Sequence, residues 1–343
     1  MSAPPDRQQL PALDPPADQP DTGRLRRFVT AALFTLLAAV VTIPDQLFEL
    51  DRRSPFTQLV SFRPLILVVG AVLLVLLLVV LWFRHRAWPF VAGLTAVLVA
   101  GGALVLPRAV ADPLPTSGTP LTVLSFNTYL GHADVHALAD LIRAERPDVI
   151  ALPEAGADFT TRLTPLVKPL GYRLYPTRGG DGSDAANVVA GVATDMGAVR
   201  VRVSAASSLE PFIEMTGGRL GALRLAAIHT SAPRPGEVAQ WHADLAGLRE
   251  WCAGPTPAIV AGDFNATLDH SAMRKGMAGC ADAAAQRGEG LIPTWGPGRR
   301  TRMLGPQIDH VLSTRGIEAE TFSVHDLPGS DHRAIVTRLR IPT

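Results

Sequence analysis

The chain has 343 residues, 47% of them hydrophobic, and its 32 basic and 31 acidic side chains give a formal net charge of +1. This length exceeds one typical domain, and the balanced charge excludes a chain-wide positive field that would attract nucleic acid, while leaving room for a local basic patch. The hydrophobic residues concentrate near the N-terminus, which predicts membrane segments joined to a soluble domain.

The chain begins with a polar tail. Residues 1–23 are rich in proline, aspartate and glutamine and contain almost no large apolar side chains. Such a segment cannot bury a core. We therefore predict a disordered tail, which the topology argued below places in the cytoplasm.

Three apolar stretches lie within residues 24–107, at 28–43, 64–83 and 87–106. The second and third run for twenty residues without an Asp, Glu, Lys or Arg, which is enough for a helix to cross a bilayer. The first is shorter and fits a signal peptide or a retained helix; the lack of a small-residue cleavage site and the apolar stretches that follow favour the retained helix. We predict three transmembrane helices. Their interiors hold no ionisable residue of the kind that a transporter uses, so we interpret them as an anchor.

Arginines flank these stretches unequally. The two flanks that would share the N-terminal side hold five, and the loop between the first two stretches holds three beside acidic residues. Because arginine and lysine are enriched in cytoplasmic loops, the N-terminus is predicted to be cytoplasmic and the chain after residue 107 extracytoplasmic. Arg108 would also be extracytoplasmic, which makes the difference in arginine count between the two sides modest. The two sets are Arg24, Arg26, Arg27, Arg84 and Arg86, against Arg52, Arg53 and Arg63.

Residues 108–120 are rich in proline and small polar residues and are predicted to link the membrane region to a soluble domain at 121–343. Both cysteines, Cys252 and Cys280, lie in that domain. In an exported domain they can form a disulfide, and equally they can be two small buried side chains. Two cysteines are too few for a thiolate zinc site, so any metal should be bound by oxygen.

The soluble domain opens with a strand at 121–126, a helix at 135–146 and a strand at 149–152, the unit that begins α/β folds. A second helix is predicted at 235–251. Further strand-like runs lie at 188–193, 199–203, 220–229, 258–261, 308–313 and 334–339. So many strands with so few helices predict two packed sheets flanked by helices. The sequence has no glycine-rich phosphate loop, so we expect no nucleotide cofactor.

Polar side chains follow the ends of these apolar strands. Asp263 and Asn265 lie two positions apart on extended chain and would face one ligand together. Each candidate has an ordinary alternative by itself, such as a polar turn for Asp263 and Asn265 or a buried core position for His229. Because strand ends collect at one edge of a fold, the joint pattern favours a single site. The candidates are Asn127, Glu154, His229, Asp263, Asn265, Asp309, Asp331 and His332.

Three motifs occur in a fixed order: Gly-Asp-Phe-Asn at 262–265, Ile-Asp-His at 308–310 and Gly-Ser-Asp-His-Arg at 329–333. With Asn127 and Glu154 in the first two strands, they resemble the endonuclease/exonuclease/phosphatase superfamily, which includes proteins similar to deoxyribonuclease I, abasic-site endonucleases and neutral sphingomyelinases. The resemblance covers roughly residues 120–343. It implies a four-layer α/β sandwich of two packed mixed β-sheets flanked by helices, here preceded by three transmembrane α-helices.

The resemblance also implies a metal-dependent phosphodiester hydrolase. Glu154, with Asn127 and Asp331, would hold Mg²⁺, or Mn²⁺ in its place, because such hard cations prefer oxygen ligands. One departure from the family is Pro153, which stands where a Gln usually precedes the metal-binding Glu.

The remaining candidates would carry the catalysis. By resemblance, Asp263 orients or deprotonates the attacking water and Asn265 helps to fix it. His332, paired with Asp309, contacts the phosphate, and His229 donates to the phosphate or protonates the leaving group.

The substrate stays open at this point. A nuclease or other phosphodiesterase is favoured, and the alternatives are a sphingomyelinase-like phospholipid hydrolase and an inactive membrane-anchored binding protein. Arginines at 178, 299, 300 and 302 either bind a nucleic-acid backbone or are simply solvated. The expected partners are the bilayer and a phosphodiester substrate, and the sequence does not predict the oligomeric state.

Overall fold

The computed structural model describes residues 22–177, 184, 187–204, 211–296, 298 and 302–342. Most of the predicted tail lies outside these residues, as do Arg178, Arg299 and Arg300. Residues 22 and 23, which the sequence assigned to the tail, are the first residues of a helix.

The N-terminal part consists of helices α1 (Thr22–Thr42), α2 (Phe56–Val60), α3 (Arg63–Phe83) and α4 (Trp88–Val105). By length and composition, three stretches can cross a membrane: Thr22–Thr42, Arg63–Phe83 and His85–Ala109. These agree with the three predicted apolar stretches. The first helix starts earlier than predicted because its arginine-rich flank continues the helix.

The C-terminus of α1, the N-terminus of α3 and the C-terminus of α4 lie at the same end of the bundle, next to the rest of the chain. Arg63 is buried there, donating through Nη1 to Asp269 at 2.6 Å and through Nε to the carbonyl oxygen of Thr42 at 2.9 Å, and it also pairs with Asp45. Asp269 accepts a second bond, of 2.5 Å, from Arg108. Ion pairs therefore join the three helix ends to the soluble domain.

Twelve strands are described in the soluble domain. They form two six-stranded sheets, ordered β11-β12-β1-β2-β4-β3 and β5-β6-β7-β8-β10-β9. The pairs β1–β2 and β7–β8 are parallel and the other pairs antiparallel, so both sheets are mixed. The strands are β1 (Thr119–Ser125), β2 (Val149–Pro153), β3 (Tyr172–Pro176), β4 (Val188–Ala193), β5 (Val199–Ser204), β6 (Phe212–Gly217), β7 (Arg224–His229), β8 (Ala258–Asp263), β9 (Cys280–Asp282), β10 (Asp309–Thr314), β11 (Glu318–His325) and β12 (Ala334–Ile341).

Helices cover the outer faces of both sheets. Val123 and Val149 point into the core between the sheets, whereas their neighbours Leu124 and Ile150 pack under α5 and α6. The central strands are thus buried on both faces, which explains their uninterrupted apolar runs. This confirms the predicted four-layer sandwich. The helices are α5 (Val135–Glu145), α6 (Ala157–Val167), α7 (Val238–Gly247), α8 (Arg249–Cys252), α9 (Ser271–Gly276) and α10 (Ala283–Gln286).

Several element predictions were incomplete. The strand predicted at 220–229 begins only at Arg224, because the chain reverses through glycines with positive φ, among them Gly221 (φ +59). The helix predicted at 235–251 is divided into α7 and α8. Four strands (β3, β6, β9 and β11) and the helices α6, α9 and α10 had no matching prediction, because their apolar residues form only short runs or are mixed with polar ones.

The cysteines form a disulfide, with the Cα atoms of Cys252 and Cys280 5.0 Å apart. It joins the end of α8 to the start of β9. Residues in the predicted linker also contact the domain: the Asp112 amide donates to the carbonyl of Gln286 at 2.8 Å, and Ala111 forms an isolated bridge with Arg287.

Candidate active site

Strand register brings the first candidates together. Asn127 and Glu154 follow the parallel strands β1 and β2, and His229 and Asp263 are the last residues of the parallel strands β7 and β8. In the register of the second sheet, His229 lies opposite Asp263, and Asp309 at the start of β10 lies opposite Asp263 from the other side. The C-terminal ends of both parallel pairs thus meet at one edge of the sandwich.

The turn before β12 supplies the last two candidates, Asp331 and His332. Ser330 holds this turn against the first sheet, since its Oγ donates to the carbonyl oxygen of Asn127 at 2.8 Å and accepts from the amide of His332 at 2.9 Å. The structure therefore collects all eight candidates at one place. Most of them line a cleft of about 720 Å³.

Asn127 links the two carboxylates at the centre. It is buried, and its Nδ2 donates to Glu154 Oε1 at 3.0 Å and to Asp263 Oδ2 at 2.9 Å. Its own Oδ1 accepts from the amide of Tyr129, and the amide of Leu130 donates to Glu154 Oε2 at 2.8 Å. These bonds fix the positions of two carboxylates that would otherwise repel each other.

Two site residues have left-handed backbone conformations, Glu154 (φ +55) and Asn265 (φ +47). For a residue other than glycine such a conformation is strained and raises the free energy of the folded state, and strained residues of this kind cluster at functional sites. Gly262 is required for a different reason: a Cβ there would lie 1.9 Å from the carbonyl oxygen of Ile228. The strand pair β7–β8 can therefore approach closely only with glycine just before Asp263.

Asp263 is buried at the bottom of the cleft. Its Oδ1 accepts from the amide of Asn265 at 2.8 Å. Burial, together with the nearby Asp309 carboxylate, raises the pKa of Asp263 to about 6, while His332 and His229 act in the opposite direction. Asp263 is therefore a carboxylate at neutral pH whose basicity is higher than that of an ordinary aspartate.

His332 and Asp309 form a buried pair, with His332 Nδ1 2.9 Å from Asp309 Oδ2. Burial by itself would lower the pKa of His332, but the carboxylates of Asp309 and Asp263 raise it to about 9. The ring is thus an imidazolium at neutral pH. Its Nε2 lies 3.6 Å from Asp263 Oδ2 and faces the cleft, where it can donate to an anion.

His229 lies on the opposite side of Asp263. Its Nε2 is 3.8 Å from both Glu154 Oε1 and Asp263 Oδ2, and 3.4 Å from Asn265 Nδ2. The side chain is 12% exposed, so it faces the cleft and is not the enclosed core histidine that its sequence position also allowed. Asn265 is fixed by donating to the carbonyl oxygen of Thr230 at 2.9 Å.

Comparison with known proteins agrees with this geometry. The model of the Endonuclease/Exonuclease/phosphatase family matches residues 124–332, more than half of the chain. The chain belongs to the endonuclease/exonuclease/phosphatase family. The predicted resemblance is therefore confirmed, and members of this superfamily are hydrolases that act on phosphodiester bonds. None of the curated proteins compared with the chain matches it.

Solved structures share the fold of this family member. A humanized TDP2 from D. rerio has a TM-score of 0.51 at 16% identity, covering 64% of this chain and 99% of that one. A family protein from Bacteroides thetaiotaomicron has a TM-score of 0.51 at 15% identity, covering 66% and 100%. A 3′ phosphatase, NExo, from Neisseria, bound to a product DNA hairpin, has a TM-score of 0.50 at 17% identity, covering 63% and 98%.

The side chains at this family site fit a hard divalent cation, the kind of metal that family members typically use. Ligand atoms of Glu154, His229 and Asp263 lie within 4.8 Å of one another, as do those of Asp263, Asp309 and His332. Asp331 adds a further oxygen: its Oδ2 accepts from Trp295 Nε1 at 3.0 Å, while its buried Oδ1 has no hydrogen-bond partner among the described residues. Carboxylate oxygens predominate here, as Mg²⁺ and Mn²⁺ require.

Sequence reasoning missed several residues that shape the site. Trp295 orients Asp331 by donating a hydrogen bond to it, and the hydroxyl of Thr294 accepts a hydrogen bond from the backbone amide of Asp309. Arg302, which was expected either to be solvated or to bind substrate, is buried and donates to the carbonyl oxygen of Ser330. Trp295, Thr294 and Arg302 lie outside the three sequence motifs, and only their neighbour Ser330 belongs to one of them. Gln58, Ser61 and Phe62 also line the cleft, although they belong to the segment just before α3, and no pattern in the sequence signals this.

Proposed function

We propose that the protein is a divalent-metal-dependent phosphodiester hydrolase, anchored in the membrane by α1, α3 and α4, with its catalytic domain outside the cytoplasm. The observation that carries this proposal is the position of Asp263. It lies between an imidazolium, His332, and the carboxylate of Glu154, to which Asn127 links it by donating to both carboxylates. A basic group, a cationic donor and metal ligands within one cleft are what hydrolysis of a phosphate ester needs.

Glu154 and Asp331, together with Asn127 once its Oδ1 turns away from the Tyr129 amide, would hold the metal ion. A bound Mg²⁺ or Mn²⁺ supplies charge neutralisation and polarisation of a phosphoryl oxygen. The Oδ1 of Asp331, which has no hydrogen-bond partner among the described residues, and the carboxylate of Glu154 would supply oxygen ligands.

Asp263 would accept the proton of the attacking water, since its raised pKa makes it a better base than an ordinary aspartate while leaving it ionised at neutral pH. Asn265 would position that water from the left-handed turn beside it. His332 would donate from Nε2 to a phosphoryl oxygen, and Asp309 holds its ring in place through Nδ1. His229, on the other side of Asp263, would donate to the leaving oxygen.

Membrane attachment is supported by the arrangement of the helices. Their catalytic-domain ends meet at Arg63, and the opposite end carries the five arginines that predict the cytoplasmic side. The disulfide between Cys252 and Cys280 also favours an extracytoplasmic domain, because disulfides persist in oxidising compartments. Epitope tags at the two termini test the orientation: external protease on intact cells should remove the C-terminal tag and spare the N-terminal one.

The test of activity uses the full chain in detergent micelles. Substrates are bis(p-nitrophenyl) phosphate as a diester, p-nitrophenyl phosphate as a monoester, and DNA, each with Mg²⁺, with Mn²⁺ and with EDTA. We expect diester hydrolysis that EDTA abolishes and added metal restores. Hydrolysis unaffected by EDTA would contradict the metal dependence, and a folded protein that hydrolyses no substrate would favour an inactive binding protein.

Metal binding is measured separately with Mn²⁺ by electron paramagnetic resonance. Glu154→Gln should weaken binding by at least about 10–100-fold, because loss of a residue that only supports a metal ligand already has that effect. Glu318→Gln, at an exposed position on β11, is the matched control and should bind as the parent does. Equal binding by Glu154→Gln and the parent would remove Glu154 from the ligand set.

A further inference from the structure

One wall of the cleft is formed partly by the residues that immediately precede α3. Gln58, Ser61 and Phe62 line the cleft together with His229 and Asp263. This wall is attached to the domain, because Gln58 Nε2 donates to the carbonyl oxygen of Pro233 at 2.6 Å. The catalytic residues therefore lie beside the point where the most apolar helix of the chain begins.

A second cavity, of about 220 Å³, lies next to the cleft along α3. We call it the apolar groove and define it by Leu65, Val68, Leu291, Met303 and Leu304. The groove and the cleft share Ser61, Phe62 and Pro306 in their linings, so the two cavities adjoin. One wall of the groove is a predicted membrane span and the other belongs to the catalytic domain.

Several apolar side chains of the groove are exposed, and their contact with water is unfavourable. Val68 is 61% exposed, and Met303 and Leu304, which lie across from α3, are 63% and 59% exposed. Exposed apolar side chains that cluster at the base of a membrane helix are typical of a surface that contacts lipid. A 21-residue helix is about 31 Å long, the thickness of the hydrocarbon core, so the bilayer boundary lies close to Arg63.

The position of the domain above this boundary is fixed. Arg63, at the first turn of α3, is bound to Asp269 of the loop that follows β8 and carries Asn265. With α3 crossing the bilayer from Arg63, Phe62 would lie at the level of the lipid headgroups, between the cleft and the groove that it lines.

We propose that the substrate is a phospholipid of the bilayer in which the protein is anchored, with its acyl chains along the apolar groove and its phosphodiester in the catalytic cleft. This inference rests on the proposed function and specifies its substrate. In the reaction, the oxygen of water bonds to phosphorus, one phosphorus–oxygen ester bond breaks, and the leaving oxygen takes a proton, so that an alcohol and a phosphomonoester are released.

The described lining of the cleft favours this substrate over nucleic acid. Proteins that bind a nucleic-acid backbone neutralise several successive phosphates with lysine and arginine. Arg234 is the only arginine or lysine among the described residues that line the cleft, and Glu237 lies near it in sequence and in the same lining. One phosphate next to an apolar groove matches a lipid better than a polyanion.

The test compares three diesters with the full chain and saturating Mg²⁺: phosphatidylcholine or sphingomyelin in mixed micelles, soluble bis(p-nitrophenyl) phosphate, and single- or double-stranded DNA. The double variant Met303→Ser, Leu304→Ser should lower the ratio of lipid to soluble-diester hydrolysis at least 10-fold. Val203→Ser, which removes a 47% exposed apolar side chain from β5, is the matched control and should leave that ratio unchanged.

Each outcome has a defined meaning. Hydrolysis of the soluble diester or DNA without any hydrolysis of either phospholipid would overturn the lipid proposal and leave the proposed function intact. An unchanged ratio in the double variant would remove the groove from lipid binding. Failure to hydrolyse any diester would overturn both proposals together.

A second measurement does not depend on turnover. Asp263→Asn protein in a phosphatidylcholine nanodisc that contains a photoreactive acyl chain is irradiated, and the labelled peptides are mapped. Labels should appear on the segment that contains Met303 and Leu304 as well as on the spans. Labels confined to the helices would contradict a lipid-lined groove.

Discussion

Asp309 acts on the site through one contact, the 2.9 Å hydrogen bond from Oδ2 to His332 Nδ1. Its Oδ1 is buried and has no partner among the described residues, and its carboxylate is the first of the charges that raise the pKa of His332. Asp309 is thus a positioning residue that keeps His332 charged and aimed at the cleft.

Asp309→Asn should therefore reduce kcat for a soluble diester by about 100-fold, within the range usual for losing a positioned acid or base, and change KM little. Steady-state kinetics of the full chain check this prediction. Asp140→Asn, an exposed aspartate on α5, is the matched control. A kcat within threefold of the parent would show that His332 does not need its carboxylate partner.

His310, next to Asp309, is a buried histidine whose Nδ1 lies 2.9 Å from Asp282 and whose Nε2 lies 2.9 Å from the carbonyl oxygen of Ala266. Burial opposes its charge, but the carboxylates of Asp282 and Asp309 and the hydrogen bonds raise the pKa of His310 above its ordinary value of 6.5. Because the folded pKa is the higher one, this histidine stabilises the fold fully below pH 6.5 and loses that contribution as the pH rises through the folded pKa.

His310→Gln should accordingly lower the melting temperature most at pH 6, and its deficit should shrink as the pH is raised above 6.5. Thermal unfolding of the full chain in detergent, at pH values from 6 upward, measures the difference. His136→Gln, at an exposed position, serves as the control. A deficit that stays constant or grows with pH would contradict a charged His310.

At this scale the sequence predicted much of the site. Asp263, Asp309 and His332 could be identified because each interrupts or follows an apolar strand within a motif. The function of Asn127 as a donor to two carboxylates could not be read from its position, since it depends on a side chain 136 residues away. Trp295 was missed because no local pattern marks a residue whose importance is a single hydrogen bond to Asp331.

The first turn of α3 carries a buried arginine that is paired with two buried carboxylates. Arg63 is buried between Asp45 and Asp269, which are themselves buried, and the two carboxylates also pair with Arg274 at 2.7 Å and Arg108 at 2.5 Å, respectively. Breaking one partner of a buried pair is costly because it leaves charge without compensation.

Arg63→Met should lower the free energy of unfolding by about 3 kcal/mol, which corresponds to a fall of roughly 6–12 °C in melting temperature for a domain of this size. Arg143→Met is the matched control, because Arg143 pairs with Asp140 on the surface of α5 and should contribute at most about 0.5 kcal/mol. Intrinsic fluorescence of the buried Trp241 and Trp251 follows the unfolding. Equal melting temperatures for the two variants would show that the junction does not depend on Arg63.

Strands that are a single apolar run were predicted better than strands that mix apolar and polar residues. The run at 258–261 lies in β8, which is buried at every position, so composition alone identifies it. β11 alternates polar and apolar residues, and β6 combines three buried apolar residues with Glu214, which is paired with Arg224 and Arg202. Local composition could not identify these strands because their stability comes from cross-strand partners.

Across the whole molecule, the sequence predicted two separate parts, an anchor and an enzyme, whereas in the structure residues just before α3 line the same cleft as the candidate site residues. The segment between α1 and α3 is not only a loop between spans: Asp51 accepts from the amide of Ser271 at 2.6 Å, and the carbonyl oxygen of Thr57 lies 2.9 Å from His270 Nε2. Contacts between residues more than 200 positions apart are invisible to a pattern read along the chain. They explain why experiments on this protein should use the full chain.

Hydrolysis of bis(p-nitrophenyl) phosphate by Asp263→Asn tests the central claim most directly, because Asp263 is the proposed base and lies beside His332, His229 and Asn127. The full chain is assayed with saturating Mg²⁺ beside the parent and Asp140→Asn. The account predicts metal-dependent hydrolysis by the parent and by Asp140→Asn, and a kcat for Asp263→Asn lower by at least about 100-fold. Hydrolysis by Asp263→Asn at the parental rate would contradict it.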